Sequence, residues 1–403
     1  MASRMASQAD RENDWPDIVR RLLYVAMGLF LVTIVIGIVN GLDLYEFDRN
    51  QLLTHVHSGT LGWVTLTLVA ASFWLFRSGD RRLATTMAVL IAAYVVAFYT
   101  GFLWLRAATG VALFVAIAWL LVWAWRAAVA TGSLPALAVA LGFTTFGYGA
   151  VIGVLLQVQL ASGTTIFPGG GDVIGAHAGT MVFSYLVLVA MGLIEWRVLG
   201  TTGRPKAGLV QIGALFGGGL LLAVVQLFLP GQVMSIGGIY LLVELIAIVL
   251  FAVRVLPTAV RIDWVRASPA RHLGTAAIFV VVAMVIYMYL VVSFLGDPTA
   301  DFEKFLPILI ASDHSTFVGV ITNLVFALAL TLAADRRSIW PWADEPVYWL
   351  MNIGLVVFAV GLAAEVAEVK RIGAPIMGIG ILLGLAVITM RLRASNLSAA
   401  GEA

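Results

Sequence analysis

Apolar runs of about twenty residues, separated by short charged or Gly/Pro-rich breaks, fill almost the whole chain. Twenty residues of helix rise about 30 Å, the thickness of a bilayer's hydrocarbon core. The pattern therefore predicts about twelve transmembrane helices, beginning near residues 20, 52, 83, 107, 135, 172, 206, 235, 272, 305, 347 and 372. Residues 1–17 read as a polar N-terminal tail, 18–394 as one membrane domain and 395–403 as a C-terminal tail. The polar start runs straight into a long apolar span, without the short apolar region and small-residue cleavage site of a signal peptide, so the N-terminus is expected to be retained.

Composition agrees: of 403 residues, 61% are hydrophobic and 11% charged, with a mean hydropathy of +1.01. These values belong to an all-α, multi-pass integral membrane protein in contact with lipid. Positive charge orients it. Arg4, Arg11, Arg20 and Arg21 crowd the N-terminus, and Arg77, Arg81, Arg82, Arg197, Arg204, Lys206, Arg254, Arg261, Arg266, Arg271, Arg336 and Arg337 fall in alternate connections. The other connections carry Asp43, Glu46, Asp48, Asp172, Asp297, Asp301 and Glu303, with Lys370 and Arg371 the main exception. Positive-inside bias then predicts both termini cytoplasmic, in the plasma membrane of a cell. Nothing in this charge pattern calls for nucleic acid.

The chemistry sits in a few intramembrane residues. His55 and His57 lie two apart in an apolar stretch, His177 and His314 on later even-numbered helices. Residues i and i+2 of a helix point about 200° apart, so His55 and His57 face different neighbours and cannot chelate one ion together. One helix serving two haems needs this arrangement. The strings His57-Ser58-Gly59-Thr60, His177-Ala178-Gly179-Thr180 and His314-Ser315-Thr316-Phe317 rhyme at steps of four helices. They read as three four-helix repeats around a pseudo-threefold axis, with Gly59, Gly179 and Gly319 leaving room for a flat macrocycle. The simpler role for any one of these histidines is a hydrogen bond to a neighbouring carbonyl, but four at matched depth point to ligation. His272, beside Arg271 at a helix start, reads as a solvated interfacial residue, and Gly217-Gly218-Gly219 as close helix packing. With no cysteine, disulfides, iron–sulfur clusters, thiolate haem and covalent haem attachment are excluded, while noncovalent haem b stays open.

The string His55-Val56-His57-Ser58-Gly59-Thr60-Leu61-Gly62-Trp63 resembles the His-x-His helix of haem-copper oxidase catalytic subunits, especially the C-type cytochrome oxidases and nitric oxide reductases. That resemblance implies twelve helices in three four-helix arcs, with His55 and His57 as axial ligands of two haems. Carried around the axis, it pairs His57 with His177 and leaves His314 to face the haem of His55. In that family the His-x-His pair is on the tenth helix; here it is on the second, so the arcs are cyclically shifted. The family's adjacent His-His copper ligands are missing from this sequence, so no copper centre of that kind is expected.

The expectation is thus a di-haem b electron carrier near the outer face, supplied by a quinone or cytochrome donor. Two alternatives stand beside it: an oxidoreductase that binds oxygen or nitric oxide as a small gas ligand at an atypical second metal, and a proton-coupled transporter without haem. A non-haem metal held by His314 and Asp313 belongs to the former. Glu244 and Glu365 read as the intramembrane carboxylates able to relay protons, and Arg106 and Arg49 as cationic partners for haem propionates.

Overall fold

A computed structural model describes residues 15–167, 169–200, 203–297, 301–335 and 340–394. The expected C-terminal tail and residues 1–14 of the N-terminal one lie outside these, as do Arg4, Arg11, Arg336 and Arg337. The described chain is all-helical, with twelve helices long and apolar enough to cross a membrane. They are α1 (Trp15–Gly41), α2 (Arg49–Phe76), α3 (Arg81–Thr100), α4 (Leu103–Thr131), α5 (Leu134–Ser162) and α6 (Val173–Leu199) in the first half. The second half holds α7 (Lys206–Phe228), α8 (Pro230–Arg254), α9 (Pro269–Gly296), α10 (Phe302–Leu332), α11 (Pro341–Ala363) and α12 (Ala367–Arg393). The even number returns the described ends to one side, here called the terminal face.

Local signals set the ends. Asp48, Asp80, Ser133 and Asp172 cap α2, α3, α5 and α6 by accepting first-turn backbone N–H groups. Gly101, Gly132 and Gly163 end α3, α4 and α5 in the left-handed conformation that glycine adopts without strain. The first helix takes in Trp15, Pro16 and Asp17, residues that the polar pattern assigned to the tail, because the Asp17 carboxylate bonds Arg20 and Arg21 one turn on, at 2.5 and 2.9 Å.

Each helix packs against the next in the chain, and α12 closes the ring on α1. α11 and α12 approach most tightly, since a Cβ at Gly354 or Gly373 would run into the facing backbone. Inside the ring stand α2, α6 and α10, which carry His55, His57, His177 and His314. The central windows of α2 and α10 are 83% buried, against 28% for α8 and α9.

Each inner helix carries a π-helical stretch just past its histidine: Ser58–Thr65 in α2, Thr180–Leu186 in α6 and Ser315–Thr322 in α10. A π turn closes i→i+5 bonds and widens the helix, which displaces side chains from the regular 100° step. Thr65 and Thr322 bond the carbonyls five residues back, Thr60 and Phe317, at 2.9 and 2.8 Å. The three stretches also join one another. Trp63 Nε1 donates to Thr322 Oγ1 at 3.0 Å, and the Tyr185 hydroxyl donates to Thr65 Oγ1 at 3.2 Å. In an apolar interior such bonds lock helix rotation, and with it the direction of each histidine.

Candidate functional site

Four imidazoles share one mode of anchoring. His55 Nδ1 lies 2.9 Å from the Thr33 carbonyl of α1, His57 Nδ1 2.7 Å from Leu53, His177 Nδ1 2.9 Å from Gly149 of α5, and His314 Nδ1 2.9 Å from Ile310. A carbonyl oxygen only accepts, so in each ring Nδ1 carries the proton and donates it. Nε2 is then left as a free lone pair, with no hydrogen-bond partner among the described residues. A neutral imidazole oriented from Nδ1 and presenting Nε2 is the form that ligates iron.

The rings fall into two pairs. His57 and His177 come within electrostatic range of each other across the α2/α6 gap, and His55 and His314 do so across the α2/α10 gap. The first gap is walled by α3, α4 and α5. Phe98 lies almost parallel to His57, 3.8 Å between centroids, and Tyr94 meets it edge-on at 5.8 Å. Opposite, Gly153 of α5 has no side chain because its Cβ would sit 2.5 Å from His177 Cε1. The second gap is walled by α11, α12 and α1. Phe358 packs against His314 at 4.8 Å, and a Cβ at Gly37 would stand 3.0 Å from His55 Cε1. With Nδ1 held and Nε2 free, each of the four rings could serve as a nitrogen ligand to a metal or haem iron.

The third gap, between α6 and α10, has no histidine. Here Glu244 of α8 is buried with neither carboxyl oxygen hydrogen-bonded. Tyr240 of α8 and Tyr287 of α9 bond through their hydroxyls at 2.9 Å, and Tyr287 stacks on Phe183 of α6 at 3.5 Å. Tyr148 of α5 is also close by, its hydroxyl near Thr145 and Ser184 and within electrostatic range of Glu244. The glycine run of α7 makes the room: a Cβ at Gly218 would strike the Glu244 carboxyl, and one at Gly219 the Ser184 side chain. Those glycines serve a polar pocket as well as packing.

Other expected residues are placed differently. Glu365 is not an intramembrane carboxylate: α11 ends at Ala363, and Glu365 stands exposed in the turn to α12 with φ +55°. Arg106 is buried and donates to Asn50 Oδ1 at 2.7 Å and to the Phe98 carbonyl at 2.9 Å, so it ties α4 to α2 and the end of α3. Asp172 caps α6 through Gly175 N rather than touching His177. Asp313 Oδ1 is buried without a partner, and among the described residues no group of three or more His, Asp or Glu could hold a metal ion together.

His272 is buried, not solvated. Its Nδ1 lies 2.9 Å from Asn323 Oδ1, while Asn323 Nδ2 donates to Asn352 Oδ1 at 2.8 Å. The sequence signals missed this network, and also the buried Glu195 on α6, which pairs with Arg254 at 2.5 Å while Arg254 donates to Gln211 at 2.7 Å. Only the spacing of polar residues at one depth on α6, α7 and α8 pointed to it. Compared with known proteins, the chain matches no family model and no curated protein.

Proposed function

We propose that the chain is a haem b-binding membrane redox protein, holding two haems and moving electrons between them near the face opposite the termini. His57 with His177, and His55 with His314, supply the axial nitrogens. The observation that carries this reading is the common state of the four rings: Nδ1 tied to a backbone carbonyl and Nε2 left without a hydrogen-bond partner among the described residues.

Haem b bound between two imidazoles supplies one-electron chemistry and no open position for a gas. The residues do the rest. The carbonyls of Thr33, Leu53, Gly149 and Ile310 hold each ring's rotation and tautomer, so little reorganises when the charge at the centre changes. Phe98, Tyr94 and Phe358 keep water from the rings, and α2, carrying a ligand to each gap, links the two centres. The likeness of its His-x-His segment to haem-copper oxidases supports the same reading. Positive-inside bias makes the terminal face cytoplasmic and the haem side the outer one, with a quinone or cytochrome as donor.

A second reading rests on Glu244. Its unpaired, buried carboxyl among Tyr240, Tyr287 and Tyr148 suits a proton relay, which an oxygen or nitric oxide reductase or a proton-coupled transporter would need. Visible spectra of the detergent-purified chain, with a pyridine haemochrome assay, separate these. Two haems b per chain support the electron carrier; a protein folded without haem leaves the transporter.

A further inference from the structure

A cavity on the terminal face lies apart from the histidine layer, where α9 begins, α10 and α12 end, and α11 begins. It is open to the surface, and its cavity volume is about 50 Å3. Its polar side is formed by Ser268, Arg271, His272, Asp344 and Arg391, its apolar side chiefly by Leu330, Val387 and Ile388.

The polar side presents donors that nothing in the described chain uses. Arg271 is 1% exposed. One terminal nitrogen bonds both oxygens of Glu345 at 3.0 and 3.2 Å, and the guanidinium lies 4.0 Å over Tyr348, yet buried Nε has no partner. Arg391 repeats the pattern, with one terminal nitrogen on Asp344 at 2.6 and 2.8 Å and a buried, unpaired Nε. A buried N–H without an acceptor costs about 1–3 kcal/mol, and both of these belong to residues that line this one cavity. At the N-terminus of the 28-residue helix α9, Ser268 makes no side-chain cap bond, Pro269 has no N–H and the Arg271 N–H bonds the Ser268 carbonyl, which leaves the Ala270 amide. The acceptors on the same side are the Asp344 carboxylate, already held by Arg391, and His272 Nε2, free because Nδ1 donates to Asn323.

We propose that this cavity binds the phosphate of an anionic lipid headgroup that also bears hydroxyls. The two Nε–H groups receive the phosphate oxygens, and His272 Nε2 and Asp344 accept the hydroxyls. Leu330, Val387 and Ile388 continue the cavity as the apolar surface that an acyl chain follows. Both guanidiniums are neutralised by their carboxylates, so recognition rests on oriented donors more than on net charge.

Native mass spectrometry of the full chain, offered phosphatidylglycerol, phosphatidylcholine of the same acyl chains, or inorganic phosphate, tests this. The expected result is retention of one phosphatidylglycerol about tenfold more tightly than phosphatidylcholine, a preference lost in the charge-neutral pair Arg391→Gln/Asp344→Asn. Competition by millimolar inorganic phosphate would show that the phosphate alone carries recognition, which also supports the site. Should that pair fail to fold, Ser268→Trp fills the mouth without removing a charge or a cap, and is expected to abolish the same preference. Equal retention of both lipids, or a preference that survives either folded variant, overturns the proposal.

Discussion

Two of the three gaps between the inner helices hold paired imidazoles; the third holds a carboxyl and three phenols. The difference begins with single residues on a common frame. In α2, α6 and α10 a π turn follows the histidine, and hydrogen bonds from Trp63 to Thr322 and from Tyr185 to Thr65 fix the three helices on each other. Because residues i and i+2 diverge, the two histidines of α2 serve both gaps beside it, and His177 and His314 complete one each. The α6/α10 gap receives no ring. It is filled instead from the outer helices, where the small residues Gly218 and Gly219 admit Glu244 and the hydroxyls around it. One scaffold therefore places imidazole nitrogens in two gaps and, in the third, a buried carboxyl among phenols.

The strongest way to break this comparison is to empty the histidine gaps. Replacing both His55 and His57 by alanine is expected to abolish haem binding, while His177→Ala should remove about half of the haem, in line with an axial ligand at only one centre; a haemochrome count checks both. Gly153→Leu reaches the same end without touching a ligand. Its side chain would occupy the space of the His177 imidazole, so haem content should again fall by about half, with the residual spectrum that of the His55/His314 centre.

Stability gives the next largest effect, and it concerns packing rather than ligation. Glu195→Ala leaves the partly buried Arg254 with Gln211 as its remaining partner, which costs about 1–3 kcal/mol, read as a lower thermal midpoint with haem content unchanged per folded molecule. Glu244→Gln sharpens the contrast between the gaps: haem content and visible spectrum stay those of the parent, but modification by a carbodiimide that seeks protonated carboxyls in apolar surroundings is lost from α8.

The smallest effect lies outside the membrane. Asp43 bonds Lys370 at 2.9 Å and Arg371 at 2.8 Å, and these two cations hold its carboxyl below the usual carboxylate range despite a small opposing effect of burial. A lowered value in the folded state means that the tie is fully present above the ordinary carboxylate range and is lost as pH falls through the folded-state value. Asp43→Asn should therefore lower stability by no more than about 1 kcal/mol at neutral pH, and the difference from the parent should vanish in acid. Unfolding midpoints at two pH values measure it.

Much of this architecture was legible in the chain. Hydropathy gave twelve spans, with the largest displacement at α11, expected near 347 and found at Pro341. The i, i+2 spacing gave His55 and His57 different neighbours, Thr33 of α1 and Phe98 of α3, and the rhyme of the three histidine strings marks the three helices that stand inside the ring. What escaped is set by neighbours distant in sequence. Sequence spacing treats a histidine beside arginine at a helix end as solvated, whereas His272 is buried because Asn323 and Asn352, 51 and 80 residues on, build a network around it. Glu365 was assigned to a span because α11 was expected to begin and end later than it does. The π turns carry no compositional signature, since the interlocking of α2, α6 and α10 imposes them.

Carbon monoxide binding to the dithionite-reduced protein tests the central claim most directly. If each iron is held by two imidazoles, the reduced spectrum should not shift under carbon monoxide in the parent, and should shift in His177→Ala at whatever haem remains near His57. A parent protein that binds carbon monoxide at either centre, or that carries no haem to observe, would contradict the pairing of the four histidines.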